Sequence, residues 1–484
     1  MITYFKSARW GSLIICLVLP YVISGANVKD YGARGDGVTD DYEAIMEAAR
    51  FSTDGVLLFP AGQYRVTRTI RLNLSRVNIS KVEGVAGNST ILMEGPGAAV
   101  LVEGTHDGTA LPATVSKMTW SKEKLFTIEH IEIKGAHPKA DGIHLKKLIQ
   151  PIVSQCLIRR VKNGICFLSR NRNVLLLGNQ IYDCDGVGVY LDSVNIHQIN
   201  INDNHISYCK QGGIKIRHSE IRNIQIVGND IEYNHESASG GPASADIWVD
   251  CSKGGSVREG TISGNTIQAI PHPGGANIRL SGRTGDYNKI GLLSITGNHI
   301  SNQDVNIELD HCRGVSVTGN TFIRGYDRHM IINTSRNVTI SGNVFDRNED
   351  YFPESVNALG GIVIGQGRNI LLSDNIIEGG GNRNGTIKGA VAITDSREVS
   401  VNGCHIQNPE FSGIEVANSV NVQITNSLIQ EDKNPGRMSS GIHLRGACPG
   451  TRIHANTIGA GKQGAIVNNA TGVRIQGTVF TDEK

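Results

Sequence analysis

From Asn173 onward the chain repeats one pattern of apolar and polar positions. An alternating stretch leads to a Gly-Asn or Asp-Asn turn, a short apolar stretch, a variable loop and a stretch opening with Gly, as in "NVLLLGNQIYDCDGVGVYLDS". Alternation with a period of two predicts half-buried β-strands. The turn Asn recurs at Asn179, Asn204, Asn229, Asn265, Asn298, Asn320, Asn343, Asn375, Asn426 and Asn456, with Cys404 once in its place. The pattern predicts three strands and one elastic loop per repeat.

Stacking such repeats predicts an all-β fold, a right-handed single-stranded parallel β-helix. Each turn Asn would hydrogen-bond to the turns above and below it, forming a ladder. A content of 5% aromatic residues and 58 Gly in 484 residues is typical of a solenoid rather than of a single globular core. The regular Leu spacing of leucine-rich repeats and the four strands per blade of propellers are both missing from the pattern.

The first 26 residues resemble a secretory signal peptide. Lys6 and Arg9 precede an apolar stretch at 13–23, and small residues lead to Ala26. The apolar stretch is short for a membrane span, so we expect cleavage near Ala26 and export to the periplasm or medium; an uncleaved anchor is the alternative. Residues 27–484 would then form one β-helix domain. The formal charge of +2 without a basic run argues against nucleic acid and membrane partners.

The segment "NVKDYGARGDGVTDDYEAIMEAARFSTDGVLLFPAGQYRV", residues 27–66, resembles the opening of the pectate-lyase-like right-handed β-helix superfamily. That superfamily includes polygalacturonases, mannuronan C5-epimerase modules, inulin fructotransferases and phage tailspikes. The segment predicts a capping helix running through Ala49 that closes the end of the solenoid. Asp40 and Asp41 would lie at the helix N-terminus, and with Asp36 they are assigned a structural role.

Two cysteines recur at one position of the repeat. Cys184 and Cys209 each follow a turn Asn by five residues, so stacking would make them neighbours. Strand spacing of ~4.8 Å permits a disulfide, and a stack of two free thiols is an equal alternative. Cys and His do not recur at zinc spacing, so no metal or other cofactor is predicted.

The resemblance implies that the strands following the variable loops line a groove that binds oligosaccharides. Their apolar pairs, such as Ile247 and Val249, align the strands and predict three outward columns. The first reads Gly188, Gly213, Asp246, Asn277, Asn306, His329; the middle reads Tyr190, Lys215, Trp248, Arg279, Glu308, Ile331; the last reads Asp192, Arg217, Asp250, Ser281, Asp310, Asn333. An indole among charged and amide groups is typical of a carbohydrate site.

Two kinds of role follow from the columns. The candidate catalytic residues are the carboxylates Asp250, Asp192, Asp310, Glu308 and Asp246. The candidate substrate-binding residues are Trp248, Tyr190, Lys215, Arg217, Arg279, Asn277, Asn306 and His329. Carboxylates two coils apart would stand ~9.6 Å apart at the backbone, within reach of a general acid and a general base. Alternating charges in one column are also typical of ordinary cross-strand ion pairs, which would have a purely structural role.

Three functions remain open. The first is a secreted glycoside hydrolase using paired carboxylates. The second is a uronan lyase or epimerase, in which a cation neutralises the sugar carboxylate and a Lys, His or Tyr removes a proton. The third is a non-catalytic glycan-binding β-helix. Polygalacturonase motifs and the DPHE-type stretch of mannuronan epimerases do not occur. The partner is expected to be a polysaccharide or oligosaccharide, and the sequence leaves the oligomeric state undetermined.

Overall fold

The computed structural model describes residues 25–236, 243–347, 350, 353, 357–381, 387–432 and 437–481. The predicted signal peptide at 1–26 lies almost entirely outside the described residues, as does the centre of the loop at 233–245. The boundary near Ala26 therefore stays a prediction.

The described chain forms a parallel β-helix, as predicted. Each full coil contributes three strands, and every strand pairs in parallel with its equivalent in the next coil, for example Ile214 with Ile247. Paired residues are between 22 and 46 positions apart, as in Gly291 with Arg313 and Lys81 with Thr127. Aliphatic side chains such as Ile216, Ile226 and Ile231 point inward from the three strands and form one continuous core. Alternation at period two produces this division between core and surface.

The first strand of each coil follows the variable loop and lines the predicted groove. These strands are Ile70–Asn73, Gly97–Glu103, Ala140–Ile149, Ile165–Leu177, Val189–Asp192, Ile214–Arg217, Ala245–Asp250, Ala276–Ser281, Val305–Asp310, Arg328–Asn333, Ile362–Gly365, Gly389–Thr394, Ser412–Ala417, Ser440–His454 and Ile466–Gln476. The long members continue around a corner into the second row of strands.

The second and third strands complete each coil. The second strands are Ala26–Asn27, Gly55–Phe59, Ile79–Gly84, Thr127–Glu129, Ile152–Ser154, Asn195–Asn202, Glu220–Val227, Ser256–Ser263, Ile290–Thr296, Arg313–Thr318, Arg336–Ser341, Arg368–Ser373, Arg397–Asn402 and Gln423–Thr425. The third strands are Asp36–Asp40, Gly62–Val66, Ser89–Met93, Glu132–Gly135, Leu157–Arg159, Gln180–Tyr182, His205–Ser207, Asp230–Glu232, Thr266–Gln268, His299–Ser301, Thr321–Ile323, Val344–Asp346, Ile376–Glu378, His405–Gln407, Leu428–Gln430, Thr457–Gly459 and Val479–Thr481.

The predicted asparagine ladder lies between the second and third strands. The backbone N and Nδ2 of Asn179 both donate to Oδ1 of Asn204, at 3.0 and 2.9 Å, and the same pair of bonds recurs up to Asn343 and Asn375. These side chains are buried, so the ladder pairs polar groups that would otherwise be unsatisfied.

One assignment in the ladder is wrong. The ladder position that follows Cys404 is occupied by Ser427, whose Oγ accepts from the Cys404 amide at 3.2 Å. Asn426 instead adopts the left-handed conformation, with φ of 54°, that Gly occupies in other coils. In "ITNSLI" the Asn replaces the turn Gly and the Ser replaces the turn Asn, because Asn tolerates positive φ better than most residues.

Helices lie near the N-terminal end. The α-helices are Tyr42–Phe51 and Lys117–Lys122, and the 3₁₀ helices are Val28–Tyr31 and Pro112–Thr114. Ile45 of the first α-helix is fully buried in the core. Asp40 Oδ1 accepts from Tyr42 N at 3.2 Å, whereas the Asp41 carboxylate binds the amides of the preceding loop rather than the helix. That the helix closes the solenoid stays a prediction.

The cysteines form no disulfide in the described part of the chain. Eight cysteines are described there, and each is free and buried. Cys184 and Cys209 are neighbours, as the spacing predicted: their thiols hydrogen-bond, which together with burial raises the pKa of Cys184 well above its usual value. Of the two alternatives, the structure contains the stack of free thiols.

Candidate active site

The strand register places two of the predicted columns side by side on the outer face of the first strands. Lys215 pairs with Tyr190 on one side and with Trp248 on the other, and Arg279 pairs with Glu308. In the last column Arg217 pairs with both Asp192 and Asp250. Tyr190, Lys215, Trp248, Arg279 and Glu308 are partly exposed, so this face, here called the groove face, is open to a ligand.

The prediction that the first column faces outward is wrong. Asp246, Asn277, Asn306 and His329 are between 0 and 2% exposed. They are the second residues of their strands, and Asp246 and Asn277 bind Asn234 and the Ser301 carbonyl oxygen at the corner between third and first strands. No polysaccharide on the groove face can contact them, and Asp246 cannot serve there as a catalytic acid or base.

These four residues form a second internal ladder. His329 Nδ1 lies 2.9 Å from Asn306 Oδ1, Asn306 Nδ2 donates to Asn277 Oδ1 at 2.9 Å, and Asn277 Nδ2 donates to Asp246 Oδ2 at 3.0 Å. Asp246 Oδ1 accepts from N and Nδ2 of Asn234 at 3.2 and 3.1 Å. The two amide side chains thus donate in sequence toward Asp246, whose carboxylate ends the ladder.

Burial controls the protonation of both ends of this ladder. It raises the pKa of Asp246 to about 7, although Asn277 and Asn234 donate hydrogen bonds to it. It lowers the pKa of His329 to about 3, with a contribution from the nearby Arg347 charge. The ladder therefore contains a neutral imidazole at neutral pH and a carboxyl that changes charge near neutrality.

Trp248 is the centre of the groove face. Lys215 Nζ lies 3.9 Å from the centroid of its ring, and Arg279 Cζ lies 5.4 Å from it. Burial, followed by the charges of Arg217 and Arg279, lowers the pKa of Lys215 to about 8 despite the opposing effect of Asp250. The Trp248 Nε1 hydrogen is buried and has no acceptor among the described residues. Lys215 is thus an amine with a substantial neutral fraction near pH 8.

Arg279 is not available to a ligand in the way the sequence predicted. Its side chain is 11% exposed and its Nε donates to Glu308 Oε2 at 2.6 Å. Its Nη2 donates to the carbonyl oxygen of Gly274 at 2.8 Å. Arg279 therefore holds the loop that contains Gly274, and Glu308 is paired with Arg279 rather than free to bind a ligand. Arg217, 39% exposed, is the accessible arginine of the groove face.

Asp192 and Asp310 are also engaged. Asp192 Oδ2 accepts from the Tyr190 hydroxyl at 2.9 Å and lies 3.2 Å from Arg217 Nη2. Asp310 Oδ1 lies 2.9 Å from Nδ1 of His311 and accepts from Asn333 Nδ2 at 2.9 Å. Burial and the Asp192 carboxylate raise the pKa of Tyr190 to about 12, so its phenol is a protonated donor at neutral pH.

Asp250 differs from the other groove carboxylates. Its Oδ1 accepts from the backbone N and the Oγ of Ser252, at 3.0 and 2.6 Å. Among the described residues it has no ion pair, because Arg217 turns toward Asp192 on the other side. Asp250 consequently differs from Asp192 and Glu308, which described arginines hold.

The groove face continues toward the N-terminus beyond the columns predicted from the sequence. His144 pairs with Cys166, and Cys166 pairs with Tyr190, so both extend the middle column. His144 Nε2 lies 3.0 Å from Asp141 Oδ2. The signal was present in "DGIHL" and "NGICFL", where Gly142 and Gly164 open strands like those that follow. Ligand atoms of Asp141, His144 and Cys166 lie within 4.8 Å of one another, a donor set that zinc spacing did not reveal.

No helix among the described residues has both the length and the apolar character that crossing a membrane would require.

Family models match adjoining parts of the chain. The model described as right handed beta helix region matches residues 77–267, and that described as rhamnogalacturonase A/epimerase, pectate lyase-like matches residues 25–91. The model described as periplasmic copper-binding protein (NosD) matches residues 258–484. Together the three models extend from the predicted cap to the last residue.

Curated relatives match over short stretches of the chain. Alginate lyase 7 of Azotobacter vinelandii is 50% identical over 44 residues, which is 8% of this chain and 5% of that protein. Mannuronan C5-epimerase AlgE1 of the same organism is 52% identical over 44 residues, 8% of this chain and 3% of that protein. The chain therefore matches a small fraction of these relatives' own length.

Among solved structures, the chain is similar to the Dettilon tailspike protein. It is 14% identical, with a TM-score of 0.48, over 78% of this chain and 66% of that chain. The stacked parallel coils and the asparagine ladder make the described chain a parallel β-helix, and its N-terminal half matches the pectate-lyase-like and right-handed β-helix family models.

Proposed function

We propose that the protein is an exported enzyme that acts on an acidic polysaccharide by removing the proton next to a uronate carboxylate, as a lyase or an epimerase. One observation carries the proposal: Lys215, with its pKa lowered to about 8, lies on the Trp248 ring beside Arg217. A base, a stacking platform and an accessible cation are what this chemistry requires.

Each group has a role in the proposed reaction. Trp248 stacks against a sugar ring, and Arg217 pairs with the uronate carboxylate and stabilises the charge that develops on it. Neutral Lys215 takes the proton from C5. In a lyase, the electron pair forms the C4–C5 double bond and the oxygen at C4 leaves with a proton from the Tyr190 phenol. In an epimerase, a proton instead returns to C5 from the opposite face of the sugar ring, and the polysaccharide is not cleaved.

The groove carboxylates support this reaction better than paired-carboxylate hydrolysis. Glu308 is bound to Arg279 at 2.6 Å, and Asp192 is bound to Tyr190 and Arg217. A general acid must carry a proton at the working pH, which neighbouring cations oppose. Glycoside hydrolysis remains the second candidate because Asp250 has no described cation partner and could act with Asp192 two coils away.

The names of the relatives are consistent with a uronate substrate, but they describe those proteins and not this chain. Alginate lyase 7 and mannuronan C5-epimerase AlgE1 match this chain only over 44 residues each. Export is proposed from the basic, apolar and small-residue order of residues 1–26. An N-terminus of the mature protein near Asn27 would support it, and retention of the full chain in the cytoplasm would contradict it.

The test is incubation with alginate, polygalacturonate and neutral glucans, with three readouts. Ultraviolet absorbance reports unsaturated uronate, reducing ends report cleavage, and deuterium entering C5 from heavy water reports proton abstraction. The proposal expects deuterium or absorbance on a uronan, and its loss in Lys215→Gln but not in Lys210→Gln. Lys210 is a suitable control because it is 48% exposed and pairs with Asp185 outside the groove face. New reducing ends without either signal would assign the protein to hydrolases.

A further inference from the structure

A straight row of arginines runs along the solenoid at the start of the second strands. Arg313 pairs with Arg336, Arg336 with Arg368, and Arg368 with Arg397. Successive members are therefore one coil, ~4.8 Å, apart at the backbone. The row, here called the arginine row, lies around the corner from the groove face, since Arg313 follows Asp310 by only three residues.

Most of these charges are not neutralised by the protein. Arg368 Nε lies 3.1 Å from Glu398 Oε2, but Arg313, Arg336 and Arg397 have no ion pair within the described ranges. Like charges directly opposite each other on neighbouring strands are destabilising. With a formal charge of only +2 on the whole chain, four stacked arginines are a local concentration of charge.

An earlier coil shows what a structural arginine looks like at the equivalent position. Arg222 Nη1 donates to the carbonyl oxygens of Ile221 and Ser256 at 2.8 and 3.0 Å, and its Nη2 donates to Ser256 Oγ at 2.9 Å. Arg222 therefore binds its own coil and the next one. In the described part of the chain, Arg313, Arg336 and Arg397 have no such backbone acceptors, so the same architectural role does not explain them.

Two clefts lie along the arginine row. A cleft of about 250 Å³ is lined by Arg313, Arg336 and Arg368 together with Asn337, Asn369 and Glu398. It adjoins a second cleft of about 270 Å³ that also includes Arg313 and Asn337. The Arg336 guanidinium stacks on the Tyr287 ring at 3.3 Å from its centroid, which holds it in place. Fixed guanidinium groups alternate here with amide side chains that can bind hydroxyls.

We propose that the arginine row is a second binding surface for a linear acidic polysaccharide, extended parallel to the solenoid axis. A straight row of charges matches a polymer with anionic groups at regular intervals along a line. Duplex nucleic acid winds its phosphates around an axis and would contact only part of the row. Single-stranded nucleic acid normally needs several aromatic platforms, and Tyr287 is the single aromatic residue that lines these two clefts in the described part of the chain.

The surface is separate from the Trp248 site, so its test does not depend on the proposed chemistry. Binding of polygalacturonate, of heparin and of a DNA duplex is measured by calorimetry at two salt concentrations, both in the wild-type background and in a Lys215→Gln background. The row variant combines Arg313→Gln, Arg336→Gln and Arg397→Gln. The control combines Arg34→Gln, Arg50→Gln and Arg76→Gln, which removes the same charge from exposed positions near the N-terminal end.

We expect the row variant to lose at least tenfold in affinity for an acidic polysaccharide, and to lose part of the salt dependence, while the control changes less than twofold. Loss for polygalacturonate alone would identify carboxylates as the ligand groups, and loss for heparin alone would identify sulfates. Equal losses in row and control variants, or no acidic polysaccharide bound by the parent, would overturn the proposal. DNA bound more tightly than either polysaccharide, and lost in the row variant, would also overturn it.

Discussion

Lys215 Nζ lies 3.9 Å from the centroid of the Trp248 ring on the neighbouring strand, and the two side chains therefore depend on each other. Burial against the ring is the main reason that the pKa of Lys215 falls to about 8. Trp248→Ala should return Lys215 to water, raise its pKa and move the alkaline rise of activity to higher pH. It should also weaken substrate binding by about 1–3 kcal/mol, the scale for losing a buried aromatic contact.

The measurement is the pH dependence of kcat/KM on the uronan that gives turnover, for wild type and Trp248→Ala. For the wild type, activity should rise with pH through about 8, because only the neutral amine can take a proton. A variant that binds weakly but keeps the wild-type pH profile would show that Lys215 is not the base.

Asp250 separates the two candidate enzymatic functions. Asp250→Asn keeps the shape of the side chain but cannot hold or donate a proton. If Lys215 is the base, the variant should retain most of its turnover and lose about 1 kcal/mol or less of stability, since Ser252 is the only hydrogen-bond partner of the carboxylate among the described residues. Loss of nearly all turnover with an unchanged melting temperature would instead favour hydrolysis with Asp250 as acid or nucleophile.

The asparagine ladder should stabilise the fold through each of its members. Asn265 donates from Nδ2 to Ile226 O and to Asn298 Oδ1, at 3.0 and 2.9 Å, and its own Oδ1 accepts from Asn229. Asn265→Ala should cost about 1–3 kcal/mol because it leaves buried donors and acceptors unpaired.

Urea unfolding followed by circular dichroism measures this cost. Asn200→Ala is the matched control, because Asn200 lies on a second strand with a partly exposed side chain outside the ladder. Equal losses in the two variants would mean that the ladder contributes no more than an ordinary surface amide.

The repeat pattern was sufficient to predict the fold and the register of two columns. Alternation assigns Trp248 to the outer face and Ile247 to the core. Aligning neighbouring strands by their inward apolar residues then makes Lys215 and Arg279 the neighbours of Trp248. The same rule failed for Asp246, because alternation does not reveal that its carboxylate is buried among Asn234 and Asn277. The repeat pattern also could not predict which partner a long side chain binds. The register places Arg217 between two aspartates, but the side-chain rotamer determines that it binds Asp192.

Asp246 gives the final prediction, which concerns stability rather than activity. Its pKa is raised to about 7 in the folded protein by burial, against a usual value of 3.8. Between pH 4 and pH 7 this carboxyl is ionised in the unfolded chain but still protonated in the folded protein. The folded protein should therefore be most stable at low pH and should lose stability progressively as pH rises from about 4 to about 7.

In Asp246→Asn the side chain does not titrate, and its NH₂ group faces another donor, Asn277 Nδ2. The variant should therefore be less stable than wild type at pH 4, and the difference in free energy of unfolding should shrink toward pH 7. Chemical denaturation of both proteins across this range measures it. A difference that grows with pH would mean that the donors Asn234 and Asn277 outweigh burial and keep Asp246 ionised.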